Sequence, residues 1–327
     1  MYVPVIHARQ SERQAIKNVA DKIRSAKNVY PLVIPVQDNP LTPGSGLRGA
    51  AQLIAGFSKV EVPFAFLVTP YVQKVQATQT QLLDAIANLD SKNMATPVVA
   101  VTNGKAASTV EAEINLLPPG SFSILHVSAA PNVPKLLGLL SKYADRIQAH
   151  YFYADGCDEW YCDIWQGAFR VLIEDGFVRQ DRNADYGTNW DEHYSDLAFR
   201  YSMEGFQGYG DHTICGEKFF PGGGPARTVA IHLTYPAPLG GAAYSDVRIR
   251  HFLSASDAKS VGAAVCYFEA LGDLVAFYNA HVQDLSFSRA CQEFVGNLGP
   301  PPHFPQLGTV KRISIQHHIE LMIHLKT

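Results

Sequence analysis

Residues 64–69 have the sequence Phe-Ala-Phe-Leu-Val-Thr, and residues 97–102 have the sequence Pro-Val-Val-Ala-Val-Thr. Between these two apolar runs, Thr80–Leu89 places its leucine and isoleucine residues on one face of a helix. A strand that is apolar throughout, rather than alternating, is typical of a parallel sheet covered on both faces. The segment therefore predicts a strand–helix–strand unit with parallel strands and a right-handed crossover.

The same unit is repeated along the first half of the chain. Helical patterns separate the strand candidates, which are Tyr2–Ile6, Tyr30–Val36, Phe64–Thr69, Pro97–Thr102, Phe122–Ser128 and Ile147–Tyr153. An open doubly wound sheet and a closed (β/α)8 barrel both fit this alternation. Repetition at about 25–30 residues per unit, sustained this far, favours the barrel.

The second half of the chain has a different pattern. Arg170–Ile173 is a candidate seventh strand, and further β-rich runs follow at Gly210–Gly216, Thr228–Tyr235 and Asp246–Ser254. Glycine- and proline-rich turns, without helices, separate these later runs, which predicts antiparallel pairing. We therefore predict a single α/β domain over residues 1–327 that is (β/α)8-barrel-like. An antiparallel hairpin insertion is predicted at residues 208–254, after the seventh strand.

The composition excludes several classes of protein. The 327 residues include 27 basic and 30 acidic side chains, and 47% of the residues are hydrophobic. Without a basic excess, bulk electrostatic binding of nucleic acid is not expected. No apolar stretch has the length of a membrane span. The five cysteines are an odd number without the spacing of metal ligands, so we predict reduced thiols and a cytoplasmic location.

Histidines are concentrated in the last third of the chain and supply the candidate catalytic residues. Imidazoles from separate elements can converge as acid–base groups or as metal ligands near neutral pH. We predict that one catalytic site is formed by Asp211, His212, His232, His317 and His318. No short metal-ligand spacing is present, so the cofactor stays unassigned, although these side chains are compatible with a divalent metal.

The C-terminal stretch from Ser314 to Ile323 fits two kinds of secondary structure. As a strand it would place every second residue, including His318 and Glu320, on one face. As a helix capped by Ser314 it would form a continuous apolar stripe. The helix is longer and better capped, so we predict the last helix of the barrel here. It would hold His317 and His318 in its first turn, where the helix dipole favours a neutral imidazole.

Short motifs spread over nearly the whole chain are similar to those of a known family. They are Tyr2, Pro4, Arg9, Gln10 and Glu12, then Arg182–Tyr186, Ser195, Asp196, Glu204–Asp211, Gly222–Ala226, Val229–Thr234, Phe304, Pro305, Leu307, Gly308 and Ser314–Leu321. In these motifs the chain resembles the "Beta family protein" group of bacteria and phages, most closely its bacterial branch. One departure is Ile34, where relatives carry a glutamate in the second strand.

The resemblance implies a barrel-like topology and a place among mobile elements and anti-phage defence modules, beside a small restriction-nuclease-like protein. It implies no catalytic residue with an established role. From the residues themselves, we predict that ligand is bound by Arg9, Asn183, Asp185 and Glu320. The guanidinium of Arg9 suits an anion because its planar fork matches phosphate or carboxylate.

Two hypotheses of function follow from these observations. In the first, the barrel is an enzyme or sensor for a phosphorylated or nucleotide-like small molecule, and uses histidine and aspartate in acid–base or metal-assisted chemistry. In the second, the protein is a non-catalytic partner that regulates a nuclease-like protein. Its contact surface would then be the acidic, aromatic segment Tyr151–Trp165.

Overall fold

The structure of the protein is a computed structural model that describes residues 1–36, 45–71, 77–188, 190–218, 227–240 and 243–325. The chain forms two compact units. The first unit contains Met1–Arg13, Ile23–Glu174 and Arg200–His212; the second contains Gln14–Lys22, Asp175–Phe199 and Thr213–Thr327. The assignment of the whole chain to one domain stays a prediction.

Strands and helices alternate through the first half of the chain. The strands are β1 (Tyr2–Ile6), β2 (Leu32–Val33), β3 (Phe64–Leu67), β4 (Ala95–Val101), β5 (Phe122–His126), β6 (Ile147–Tyr153), β7 (Arg170–Glu174), β8 (Asp191–Ser195), β9 (Gly208–Asp211), β10 (Ala230–Ala237) and β11 (Asp246–Leu253). The helices are α1 (Gln10–Asn18), α2 (Ala20–Ala26), α3 (Ser45–Lys59), α4 (Gln79–Leu89), α5 (Ala107–Asn115), α6 (Val133–Leu140), α7 (Glu159–Asp163), α8 (Leu197–Arg200), α9 (Ala258–Val261), α10 (Ala263–Ala280), α11 (Val282–Leu285), α12 (Arg289–Leu298) and α13 (Leu307–His324).

The first unit is built around a closed barrel of strands in the order β1-β2-β3-β4-β5-β6-β7-β9. Every neighbouring pair is parallel, in agreement with the continuous apolar runs of the sequence. The prediction of a (β/α)8-like barrel is therefore confirmed. Functional side chains of such barrels lie at the carboxyl ends of the strands. A ligand site is therefore expected among the residues that follow the strands, including β1, β6 and β9.

The strand that closes the barrel corrects one prediction. The sequence predicts an antiparallel strand at Gly210–Gly216, but the structure has the parallel barrel strand β9 over Gly208–Asp211. Glycine alternates with other residues in β9, so no pattern of apolar side chains marks the sheet to which it belongs. The antiparallel sheet takes its third strand from β8 instead, and the hairpin follows the eighth barrel strand rather than the seventh.

The glycines of β9 allow it to lie close to β1. A Cβ atom on Gly210 would lie 2.4 Å from the carbonyl oxygen of Val3. We expect Gly210→Ala to lower the free energy of unfolding by about 1–3 kcal/mol, because the two strands must move apart. Gly138→Ala in α6 is the matched control: no atom lies within 4 Å of its Cβ position, and alanine should stabilise the helix by about 0.5–1 kcal/mol. Urea unfolding measures both changes, and an unchanged midpoint for Gly210→Ala would contradict this close approach.

The second unit contains a three-stranded antiparallel sheet in the order β10-β11-β8. The predicted pairing of β10 with β11 is confirmed, and His232 lies directly opposite His251. Side chains of β10 that include Ile231 and Leu233 form a hydrophobic core with α10, α12 and α13. Because side chains alternate along a strand, His232 and His251 lie on the other face of the sheet.

Helix α13 begins earlier than the sequence predicts. It spans Leu307–His324, so Ser314 is an interior residue and His317 lies in the middle of the helix, away from the dipole of its first turn. Polar residues between Gly308 and Ser314 hid the start of the helix. Helix α13 is assigned to the second unit and packs on β10 and α12, and its role as the last helix of the barrel stays a prediction. Among the helices of the described ranges, none combines the length and apolar character needed to cross a membrane.

All five cysteines are buried thiols that form no disulfide bond. Burial raises the thiol pKa of Cys162 and Cys291 to about 12. A thiol that stays un-ionised near neutral pH is a poor nucleophile. These cysteines therefore act as small apolar residues in the interior of the unit to which each belongs.

Candidate functional site

Two histidines lie side by side at the carboxyl end of the barrel. His7 follows β1 and His212 follows β9, and their ring centroids are 6.5 Å apart with the planes 25° from parallel. Tyr153, the last residue of β6, presents its ring to His212 at 4.9 Å in an edge-on arrangement. The hydroxyl of Tyr71 donates a hydrogen bond to that of Tyr153 at 3.0 Å. The ends of β1, β6 and β9, together with Tyr71 beyond β3, thus bring together two imidazoles and two phenols.

His212 is the residue of this group with unsatisfied hydrogen-bonding capacity. Its side chain is 2% exposed, and Nδ1 is buried without a hydrogen-bond partner among the described residues. Burial lowers the pKa of His212 well below its usual value, and the neighbouring His7 lowers it further. The ring is therefore neutral near pH 7, with a nitrogen that can bind a ligand or exchange a proton.

The neighbours of these histidines hold them in place. Asp211, 2% exposed, accepts a hydrogen bond from the hydroxyl of Tyr2 at 3.2 Å. The backbone N–H of His7 donates to the carboxylate of Glu12 in α1. Arg9, predicted from the sequence to bind an anion, follows His7 by two residues and is half-buried. The first unit therefore contains Asp211, His212 and Arg9 of the predicted site.

His232 forms a hydrogen-bonded chain with two residues that the sequence analysis did not select. The Nδ1 atoms of His232 and His251 are 2.7 Å apart, and Nε2 of His251 lies 3.1 Å from Oε1 of Glu192 on β8. Burial is the main cause that lowers the pKa of both histidines. The carboxylate of Glu192 raises the pKa of His251 and so opposes part of this effect. The rings of Tyr186 and Phe177 lie 4.7 Å and 5.1 Å from that of His232.

His317 has partners on both ring nitrogens. Its Nδ1 lies 2.8 Å from the hydroxyl of Ser288, and its Nε2 lies 2.6 Å from the carbonyl oxygen of Thr234. Burial lowers its pKa to about 4. The adjacent His318 directs Nδ1 to the hydroxyl of Thr234 at 3.0 Å. These contacts join α13 to β10 and to the start of α12. They give both ring nitrogens of His317 a hydrogen-bond partner, as is typical of a buried histidine with a structural role.

The carboxylate of Glu320 lies at the start of α12. Its Oε2 accepts hydrogen bonds from the hydroxyl of Ser288 at 2.8 Å and from the backbone N–H of Ala290 at 3.1 Å. Its Oε1 is 3.2 Å from the ammonium of Lys22, and the Glu320 side chain is fully buried. Glu320 thus neutralises a helix N-terminus and a cation at once.

The two remaining predicted ligand residues make local contacts in the second unit. Asn183 donates a hydrogen bond from Nδ2 to the carbonyl oxygen of Thr228 at 2.8 Å. Asp185 forms an ion pair with Arg182 at 2.8 Å, and this guanidinium lowers the pKa of the Asp185 carboxyl. A solvent-exposed pair of this kind contributes little to stability. The predicted ligand roles of both residues stay predictions.

Most aromatic side chains of the segment 151–165 are buried and cannot contribute to a contact surface. Five of its aromatic residues are buried, namely Tyr151, Phe152, Tyr153, Tyr161 and Trp165. Trp160 alone among the six is exposed, with 65% of its surface accessible. The motif Gly222–Ala226 lies outside the described residues. In the described ranges, no three His, Cys, Asp or Glu side chains are grouped so that they could hold a metal ion.

Comparisons with known proteins add no relative to these observations. No family model, no curated protein and no solved structure matches the chain. The fold and the candidate sites therefore rest on the geometry of the chain itself.

Proposed function

We propose that the protein binds and acts on a phosphorylated or nucleotide-like small molecule at the carboxyl end of its barrel, with His212 and His7 as acid–base groups. The observation that carries this proposal is the buried, unpartnered Nδ1 of His212 beside a second imidazole. A buried polar atom without a hydrogen-bond partner destabilises the folded protein. At the carboxyl end of a barrel, a bound ligand can supply the missing hydrogen bond.

The chemistry follows from the protonation state of the two rings. His212 is neutral near pH 7, so a ring nitrogen can take a proton from a substrate hydroxyl or from water. Asp211 and Tyr2 stay bonded to each other beneath it and fix the end of β9. In the proposal, Arg9 supplies the positive charge that an anionic group on the substrate requires.

A thermal-shift experiment with defined ligands tests this proposal. We expect inorganic phosphate, ribose 5-phosphate or AMP to raise the melting temperature of the wild-type protein in a concentration-dependent way, since a ligand at 100 times its Kd adds about 2.7 kcal/mol. His212→Phe should abolish the shift. His303→Phe, at an exposed histidine, should keep it. A panel without any shift, or a shift that survives in His212→Phe, would show that the barrel mouth is not this site.

The setting of the protein is a proposal that rests on the family resemblance. A role in a mobile-element or anti-phage module agrees with the motifs that resemble the bacterial "Beta family protein" group. A cytoplasmic location is supported by the five free thiols, which an oxidising compartment would not preserve as readily.

A second candidate function is regulation of a restriction-nuclease-like partner. The observation that favours it is the exposed Trp160 on α7, next to the acidic residues Asp158 and Glu159, because exposed tryptophans are enriched at protein interfaces. Co-purification of the protein with the product of its neighbouring gene tests this candidate. Trp160→Ala should lose the complex and His212→Phe should keep it, whereas the reverse result would favour the ligand site.

A further inference from the structure

The chain Glu192–His251–His232 is set by the register of the antiparallel sheet. His232 on β10 is paired with His251 on β11, and Ile249, two residues before His251, is paired with Glu192 on β8. Paired residues project to the same face, so the ladder alone places the three side chains in a line. No loop has to order for this arrangement to form.

The hydrogen bonds fix the tautomers of the two rings. The Glu192 carboxylate can only accept, so Nε2 of His251 carries the hydrogen of that contact. A neutral His251 then accepts at Nδ1, and Nδ1 of His232 is the donor. This leaves Nε2 of His232 without a hydrogen, and it has no hydrogen-bond partner among the described residues. The half-buried His232 thus ends the chain with a free lone pair.

Helix α13, which packs on β10, carries a cation whose charge acts on His232. Burial and the neighbouring His251 lower the pKa of His232, and the positive charge of Lys311 on α13 lowers it further. Lys311 is half-buried and forms no ion pair with any residue in the described ranges. The rings of Tyr186 and Phe177 pack edge-on against His232 and restrict access of water. An ammonium without an ion-pair partner in the described ranges, on a helix that packs on β10, favours an anionic ligand.

We propose that Glu192, His251 and His232 form a proton relay that makes His232 a general base toward a small phosphate ester held by Lys311. In the step, Nε2 of His232 takes a proton from a water molecule as the water oxygen bonds to phosphorus and the bond from phosphorus to the leaving oxygen breaks. The Nδ1 proton of His232 passes to Nδ1 of His251, and the resulting imidazolium is stabilised by the Glu192 carboxylate. The leaving oxygen finally takes the proton from Nε2, and the relay returns to its starting state.

This site belongs to the second unit and does not depend on the function proposed for the barrel. It uses side chains of β8, β10, β11 and α13, all of which lie in the second unit. Loss of ligand binding at His212 would leave it intact.

Chemical modification of histidine tests the relay without knowledge of the substrate. Diethyl pyrocarbonate acylates an unprotonated imidazole nitrogen, and peptide mass spectrometry gives the rate for each histidine at pH 7. We expect His232 to react faster than the exposed His303 in spite of its partial burial. Glu192→Gln keeps the hydrogen bond to His251 but removes the negative charge. It should lower the rate of His232 acylation by about tenfold. Asp273→Asn, at an exposed carboxylate on α10 of the same unit, is the control and should leave the rate unchanged.

Inorganic phosphate is the probe for the anion site. It should protect His232 from modification in the wild-type protein, and the protection should be lost in Lys311→Met. If His232 reacts no faster than His303, or if Glu192→Gln leaves its rate unchanged, the relay is refuted. Equal protection in Lys311→Met would refute the anion site. Nitrogen-15 NMR of the wild-type protein avoids any folding defect of the variants: a His232 protonated at Nε2 rather than Nδ1 would also refute the relay.

Discussion

Glu320→Leu is expected to lower the free energy of unfolding by about 3–5 kcal/mol, as the loss of one partner from a buried ion pair does. The variant leaves the hydroxyl of Ser288 and the N–H of Ala290 without their acceptor. It also leaves the ammonium of Lys22, which is 21% exposed, without its carboxylate. The start of α12 and the packing of α13 on it should weaken together, and urea unfolding followed by circular dichroism measures the loss.

An exposed ion pair provides the comparison for Glu320. Glu111 lies 3.3 Å from Lys142, and the two side chains are 40% and 63% exposed. Glu111→Leu makes the same chemical change and should cost at most about 1 kcal/mol. Equal losses in the two variants would mean that Glu320 is not the buried connection described above. A destabilised Glu320→Leu protein that keeps full ligand binding would assign this residue to the fold rather than to a ligand.

The barrel could be predicted because its signals are local. Each strand from β3 to β6 is a short apolar run, and the segment between two runs has a helical period, so the alternation is visible without knowledge of any contact. The β10–β11 hairpin was also accessible, because Pro236, Pro238 and Gly240 lie between two β-rich runs. Where such local signals fail, as in the glycine-rich β9, the sequence assigns the strand to the wrong sheet.

The candidate sites depend on contacts that are distant in sequence. Glu192 reaches His251 across 59 positions, and His7 meets His212 only because β9 closes the barrel against β1. Composition gives the residue types, but strand register decides which of them share a face. His232 and His212 could therefore be selected from the sequence, whereas their partners could not.

Helix α13 shows a further reason why the sequence misleads. His317 and Glu320 are polar residues in a segment that is buried all round, and a polar residue there suggests chemistry when it is read from the sequence. In the structure, His317 contacts Ser288 and a backbone carbonyl, and Glu320 contacts Ser288, a backbone N–H and the ammonium of Lys22. A buried polar group without a partner would destabilise the fold, so such residues form hydrogen bonds to neighbouring helices and strands and join them.

Acid is expected to destabilise the protein well above the pH at which its carboxylates protonate. His150 and His317 have pKa values lowered by burial from 6.5 to about 4, and burial lowers those of His126 and His212 in the same direction. Above pH 6.5 both the folded and the unfolded states hold these rings neutral. Below it the unfolded chain binds protons that the folded protein cannot accept, so the free energy of unfolding falls as the pH falls toward about 4. From about pH 7.5 to about pH 5, each ring with a folded pKa of about 4 should cost about 2 kcal/mol.

The His126–His150 pair allows a test that compares how steeply the free energy of unfolding changes with pH, so differences in absolute stability between variants do not matter. Nε2 of His126 lies 2.9 Å from Nδ1 of His150, and Nδ1 of His126 lies 2.8 Å from the hydroxyl of Tyr161, so a proton taken up by either ring would place a charge inside this buried network. The double variant His126→Phe/His150→Phe removes both titrating groups but retains aromatic packing. Over the same pH interval it should lose at least about 2 kcal/mol less than the wild-type protein, whatever its stability at pH 7.5. His303→Phe, at an exposed position, should show the same pH dependence of the free energy of unfolding as the wild-type protein. If the double variant also keeps that pH dependence, the acid sensitivity does not arise from these buried rings.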